Sequence, residues 1–261
     1  MIQHDFANKA KQQLLHDPGI LGLAAAGSWL TNQIDEYSDL DLILVTKEKI
    51  SDDKSKMVDL ANRFGTLLSC FTGEHVGEPR LLICLYDDPL LHVDIKFLTL
   101  SELNPRIETP YILLDREGLL QLAFEHSDHQ FPLPDFQWIE DRFWTWIHYT
   151  LLKIGRGEYF EAFDFFGFIR MVVLGPLLHI KNGKLPRGVR KVERELNEND
   201  LMILKTTLAN YERQSLLESL KNTVHLYRSL RESLFDDKVI LHARTELRVM
   251  EYLTKIEQMK S

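Results

Sequence analysis

Cysteine is scarce in this chain of 261 residues: Cys70 and Cys84 are the only two. Two thiols make neither a disulfide framework nor a four-thiolate zinc site, so stability has to come from buried apolar surface, and a reducing cytoplasm is the expected home. Positive charge is also in deficit, with 31 Lys and Arg against 39 Asp and Glu and a formal net charge of -8. A surface of that sign has few groups to displace counterions from a phosphate backbone, which argues against broad binding of nucleic acid. It suits a cationic small molecule, or a nucleotide carried in with magnesium. No uninterrupted apolar run approaches the ~18 residues of a membrane span, and the opening residues MIQHDFANKAKQQLLHD are too polar for a secretory signal. Repeats and low-complexity tracts are missing too. What is present, 44% hydrophobic and 27% charged residues, is the composition of a globular protein long enough for one large domain or two small ones.

Periodicity predicts a helix over 4–16, stopped by Asp17-Pro18-Gly19, then a buried strand over 20–26 and a second over 40–46. Ser51, Asp52 and Asp53 read as the cap of a long helix reaching residue 70, with Met57, Leu60, Ala61, Phe64, Leu67 and Leu68 at helical spacing. Two strand-like runs, 80–86 and 91–100, flank the turn Asp87-Asp88-Pro89 and read as a hairpin, which makes the sheet mixed. An edge strand over 111–114 and a helix over 117–126 follow, until Phe131-Pro132-Leu133-Pro134 breaks the pattern. Beyond Asp135 the period is helical almost throughout. The expected architecture is therefore α+β: a domain over 1–130 with a mixed sheet, then an all-α bundle of about five helices over 135–261.

The sharpest chemical signal is Gly27-Ser28 followed, ten residues later, by Asp39-Leu40-Asp41 at the head of an apolar strand. Side chains alternate along a strand, so Asp39 and Asp41 share one face while Leu40, Leu42 and Leu44 take the other. Two carboxylates so placed repel unless a cation lies between them, and magnesium characteristically takes one or two carboxylates plus substrate phosphates. Gly27 allows close approach of backbone to phosphate, and the Ser28 hydroxyl and following amides can donate to it. The same logic calls for a third carboxylate on a neighbouring strand. In Leu91-His92-Val93-Asp94-Ile95-Lys96-Phe97 the alternation puts His92, Asp94 and Lys96 opposite an apolar face. Asp94 is a candidate third metal ligand or general base, and Lys96 a candidate phosphate contact.

This constellation resembles the DNA polymerase β-like nucleotidyltransferase superfamily, and a compact catalytic domain followed by helices is similar in layout to the aminoglycoside and lincosamide nucleotidyltransferases. The motifs span 27–96; the helical half resembles those enzymes only in layout and over 146–170. The resemblance implies transfer of a nucleoside monophosphate, AMP from ATP in the leading reading, to an acceptor hydroxyl with release of pyrophosphate. It implies magnesium ions held by Asp39, Asp41 and Asp94, and an acceptor bound between the two domains. An antibiotic-resistance role belongs to that layout. Alternatives are protein or RNA nucleotidylation, a toxin–antitoxin type nucleotidyltransferase, or a nucleotide-binding regulator without turnover.

Secondary signals are weaker. Glu158, Glu161 and Asp164 recur at every third position beside an aromatic run, either as a solvated edge or as contacts for a cationic, aminoglycoside-like acceptor. Glu140 and Asp141 are lesser candidates of the same kind. Arg142 and His148 have the spacing of a ribonuclease pair but lack the polar residue after the arginine. The run Glu125-His126-Ser127-Asp128-His129 lacks a metal-binding helical spacing, and the two cysteines read as packing residues.

Overall fold

The computed structural model describes residues 1–259, which fall into two compact units divided between Pro132 and Leu133, inside the proline-containing stretch. The first unit is built on a six-stranded sheet. Its strands are β1 (Ile20–Ala25), β2 (Leu40–Thr46), β3 (Thr66–Gly73), β4 (Glu78–Asp87), β5 (Leu91–Leu98) and β6 (Tyr111–Asp115), in the order β3-β4-β5-β2-β1-β6. Every neighbouring pair is antiparallel except β2 and β5, which run parallel.

Alternation along these strands sorts the side chains. One face carries Leu40, Leu42 and Leu44 of β2, Val93, Ile95 and Phe97 of β5, and Leu82, Cys84 and Tyr86 of β4. Helices α1 (Ile2–Leu14) and α2 (Lys54–Ala61) cover it with Phe6, Ala10, Leu14, Met57 and Leu60. Each such aliphatic or aromatic side chain taken fully out of water stabilises the fold by about 1.5–3 kcal/mol before chain entropy is counted. On the opposite face α3 (Leu119–Glu125) covers one end, setting Leu120 and Phe124 against Ala24, Val45 and Leu98. Asp41, His92, Asp94 and Lys96 lie on that opposite face and are not buried.

The helix expected to run to residue 70 is a correction. Helix α2 begins at the Asp53 cap, whose side chain accepts from the amides of Ser55 and Lys56, and ends at Ala61. The Ala61 carbonyl at the helix end accepts from the Phe64 amide at 3.0 Å and from the buried Tyr86 hydroxyl at 2.8 Å. After Gly65 the chain turns into β3, where Thr66, Phe71 and Thr72 favour an extended backbone and Leu67 points to the core while Leu68 is exposed. Cys70 and Cys84 are register partners across β3 and β4; burial pushes the Cys84 thiol up to about 12.

The second unit is helical: α4 (Phe136–Arg156), α5 (Tyr159–Ile169), α6 (Gly175–Lys181), α7 (Val192–Glu195), α8 (Glu198–Lys205), α9 (Arg213–Leu234) and α10 (Ala243–Gln258). That is seven helices among the described residues rather than about five, because two short ones, α7 and α8, sit between the long ones. A π-helical turn, Arg170–Leu174, joins α5 to α6. Phe143, Trp144, Phe166 and Tyr227 fill the core, with Phe143 and Tyr227 stacked 3.6 Å apart. The continuous helical stretch Tyr159–Lys181 is long and apolar enough to cross a membrane by length and composition, yet half of its apolar window is buried in the protein. It also carries Glu161, Asp164 and Arg170.

Candidate active site

The site begins where β1 ends. The Ala26 amide donates to the Asp41 carbonyl at 3.0 Å, carrying the β1–β2 ladder one residue further, and Gly27 then turns with φ +61°. A β-carbon on Gly27 would lie 2.1 Å from Asp41 Oδ2, so only glycine fits both the backbone angle and the space. One 3-10 turn, Gly27–Trp29, follows, and the Trp29 ring packs against the His4 ring of α1 at 4.4 Å. The Gly27 amide donates to Glu108 Oε1 at 2.8 Å: an anionic oxygen already occupies the donor expected to face phosphate.

The chain returns into β2 through a turn built on Asp35, whose Oδ1 accepts from Ser38 Oγ at 2.9 Å and from the Tyr37 amide at 3.0 Å. Gln3 of α1, 1% exposed, donates to the carbonyls of Asp35 and Ser38 at 2.9 and 2.8 Å. The backbone entering Asp39 is thereby fixed.

Asp41 and Asp94 are register partners on the parallel strands β2 and β5, so their α-carbons are about 5 Å apart and both side chains rise from one face. Burial holds the Asp94 carboxyl above the usual carboxylate range; the charge and hydrogen bond of His92 oppose that shift, and the charge of Asp39 adds to it. His92 Nε2 lies 2.9 Å from Asp94 Oδ1. Gly27, Asp39, Asp41 and Asp94 are thus brought together, with Ser28 the next residue on the loop. Lys96 is on the same face, but its ammonium lies 2.6 Å from Glu78, which also takes two 2.7 Å bonds from Arg80. Arg80, and after it Lys96, hold the Glu78 carboxyl down to about 2.

Among the described residues, no group of three or more His, Cys, Asp and Glu side chains is arranged to hold a metal ion. Magnesium does not need one. It keeps several waters and takes one or two carboxylates with substrate phosphates, a set that Asp39 and Asp41 match, with the Asp41 carboxylate set close against Gly27 where a β-carbon would displace it.

Glu108 and Gln3 have no signature in the sequence. A lone glutamate in a loop and a glutamine near the start of a helix carry no spacing signal; the topology brings them to the site. Of the acidic candidates on the helical unit, Glu158 and Glu161 each pair with Lys153 at 2.9 Å, and Glu161 also accepts from Tyr149, while Asp164 is exposed. Glu140 is buried, accepting from Trp144 Nε1 at 3.2 Å, from the His242 amide at 2.9 Å and from Tyr227, so it braces the bundle instead of meeting an acceptor. Asp141 pairs with His242 at 2.8 Å. Arg142 lies over the Trp138 ring and His148 meets the Tyr252 ring at a tilt, and their spacing turns them about 120° apart around α4.

No family model matches the chain, and no curated protein matches its sequence. Among solved structures, the chain is similar to an aminoglycoside 6-adenyltransferase from Bacillus subtilis, at 17% identity and a TM-score of 0.40, over 97% of this chain and 98% of that one. It is also similar to a nucleotidyltransferase-like protein from Exiguobacterium sibiricum 255-15, at 14% identity and a TM-score of 0.34, over 98% and 89% of the two chains.

Proposed function

We propose that this protein is a magnesium-dependent nucleotidyltransferase of the cytoplasm, moving a nucleoside monophosphate, AMP from ATP, to a hydroxyl of a small molecule. The observation that carries the reading is the register of Asp41 with Asp94 beneath Gly27, which assembles paired carboxylates and a close-approach loop from three separate elements.

Asp39 and Asp41 would hold magnesium, which when bound polarises the α-phosphate and offsets charge on the leaving pyrophosphate. The loop at Gly27 and Ser28 supplies an amide and a hydroxyl to phosphate oxygens, which then replace the Glu108 carboxylate on the Gly27 amide. The acceptor oxygen bonds to the α-phosphorus, the bond from that phosphorus to the bridging oxygen breaks, and pyrophosphate leaves. Asp94 takes the proton of the acceptor hydroxyl. Lys96 reaches phosphate only by exchanging its contact with Glu78. A cationic, aminoglycoside-like acceptor suits the chain's formal net charge of -8.

The test is a pyrophosphate-release screen of each nucleoside triphosphate with magnesium against aminoglycosides, lincosamides and other polyols. Release above the level of an Asp41→Asn control is expected for one pairing. Label transferred to protein or RNA instead would replace the small-molecule acceptor, and no release with any triphosphate would overturn the reading.

A further inference from the structure

Asp94 has one hydrogen-bonding neighbour that the proposed reaction does not use. His92 and Asp94 are two residues apart on β5, so their side chains rise together, and Nε2 lies 2.9 Å from Oδ1. An ionised carboxylate only accepts, which puts the proton of this bond on Nε2. The register partners of Asp94 offer nothing comparable: Ile83 on β4 has no polar side-chain atom, and an ionised Asp41 on β2 has no proton to donate. Lys96, the next residue on the same face, lies 2.6 Å from Glu78.

We infer that His92 is the positioning residue of Asp94: it holds Oδ1 and so presents Oδ2 to the attacking hydroxyl. The inference rests on the nucleotidyltransferase reading of the site. With the imidazole in place the carboxylate has one orientation and one oxygen to offer; without it, the side chain rotates between orientations that do and do not reach the acceptor. His92 touches neither phosphate nor acceptor in this role, so its loss slows the chemical step and leaves binding of the magnesium nucleotide alone. Partners that orient a reacting group from behind typically matter by roughly 10- to 100-fold.

The experiment compares His92→Ala, His92→Gln and Asp94→Asn with wild type in the full chain, reading single-turnover rate, magnesium-nucleotide affinity by calorimetry, and the imidazole nitrogen signals by NMR. His92→Ala should lose roughly 10- to 100-fold in rate at unchanged affinity. His92→Gln, which keeps an N–H donor, should recover most of the loss, and the His92 Nε2 signal should move in Asp94→Asn. A wild-type rate in His92→Ala, equal losses in the two His92 variants, or a parallel loss of nucleotide affinity overturns the inference. If wild type turns over no triphosphate, the transferase reading fails by itself. The imidazole signal then judges the pairing alone, and a signal that stays put in Asp94→Asn overturns it.

Discussion

The side-chain amide of Gln3 donates to the carbonyl of Ser38 at 2.8 Å, so a buried residue of the first helix sets the backbone one position ahead of Asp39. The same nitrogen reaches the Asp35 carbonyl at 2.9 Å. Gln3→Leu keeps the packing but removes the donor; the Asp35 carbonyl retains the Ser38 amide at 3.2 Å, while the Ser38 carbonyl has to find another partner, at a cost of about 1–3 kcal/mol. The expected result is a lower melting temperature together with a raised KM for the magnesium nucleotide. Thermal melts and initial rates check this, and a variant that changes neither shows that the turn holds itself.

Gly27→Ala places a methyl group where Asp41 Oδ2 now lies and forces an unfavourable backbone angle. The protein should fold, since the loop lies outside both cores, but transfer should fall by at least two orders of magnitude, on the order of losing a critical transition-state contact. Ser28→Ala should instead raise the requirement for triphosphate with little effect on acceptor affinity. Steady-state kinetics with each substrate varied in turn separates the two.

The side chains of Asp41 and Asp94 rise side by side from one face, and the charge of Asp39 helps to hold the Asp94 carboxyl up, so like charge gathers in the metal-free site. Asp41→Asn should raise the melting temperature of metal-free protein while removing the further rise that magnesium and triphosphate give to wild type through binding linkage. Chelation of magnesium should abolish transfer in wild type. Melts with and without the metal nucleotide read both effects, and an Asp41→Asn protein still stabilised by it would take Asp41 out of the metal site.

Glu78 lies between Arg80 and Lys96, and its carboxyl is held down to about 2 from 4.5. A depressed carboxylate contributes stability that is fully present above its unfolded value of 4.5 and drains away as pH falls toward 2. Glu78→Gln should therefore be less stable than wild type at neutral pH, with the difference closing below pH 4.5. Lys96→Met should weaken triphosphate binding, and Glu78→Gln, which releases the ammonium, should strengthen it. Opposite signs in a nucleotide titration support Lys96 as a phosphate contact; no change in either variant removes it.

Alternation along the strands makes the face of each site residue legible in the sequence. Leu40, Leu42 and Leu44 are buried and Asp41 is not; Val93, Ile95 and Phe97 are buried and Asp94 is not. Which strand lies beside which is not legible there, because β2 and β5 pair across a long stretch of chain. Over 66–70 the apolar spacing satisfies a helix and a strand alike, and the strand prevails because β4 supplies a ladder for Thr66–Gly73. The ion pairs that occupy Lys96, Glu158 and Glu161 come from tertiary or turn geometry, for which a count of charges along the chain has no signature.

The parallel seam between β2 and β5 has a consequence for how the site comes into being. Strands β1 and β2 meet as sequence neighbours, and β3, β4 and β5 form a meander of their own, so each half closes through connections local in the chain. Asp41 belongs to one half and Asp94 to the other. Neither half by itself has both carboxylates of the proposed site, and pairings distant in sequence are the slow ones to form. The proposed site therefore comes together only with a long-range closure of the sheet, and a chain cut between α2 and β3 should show transfer only when its two pieces reassociate.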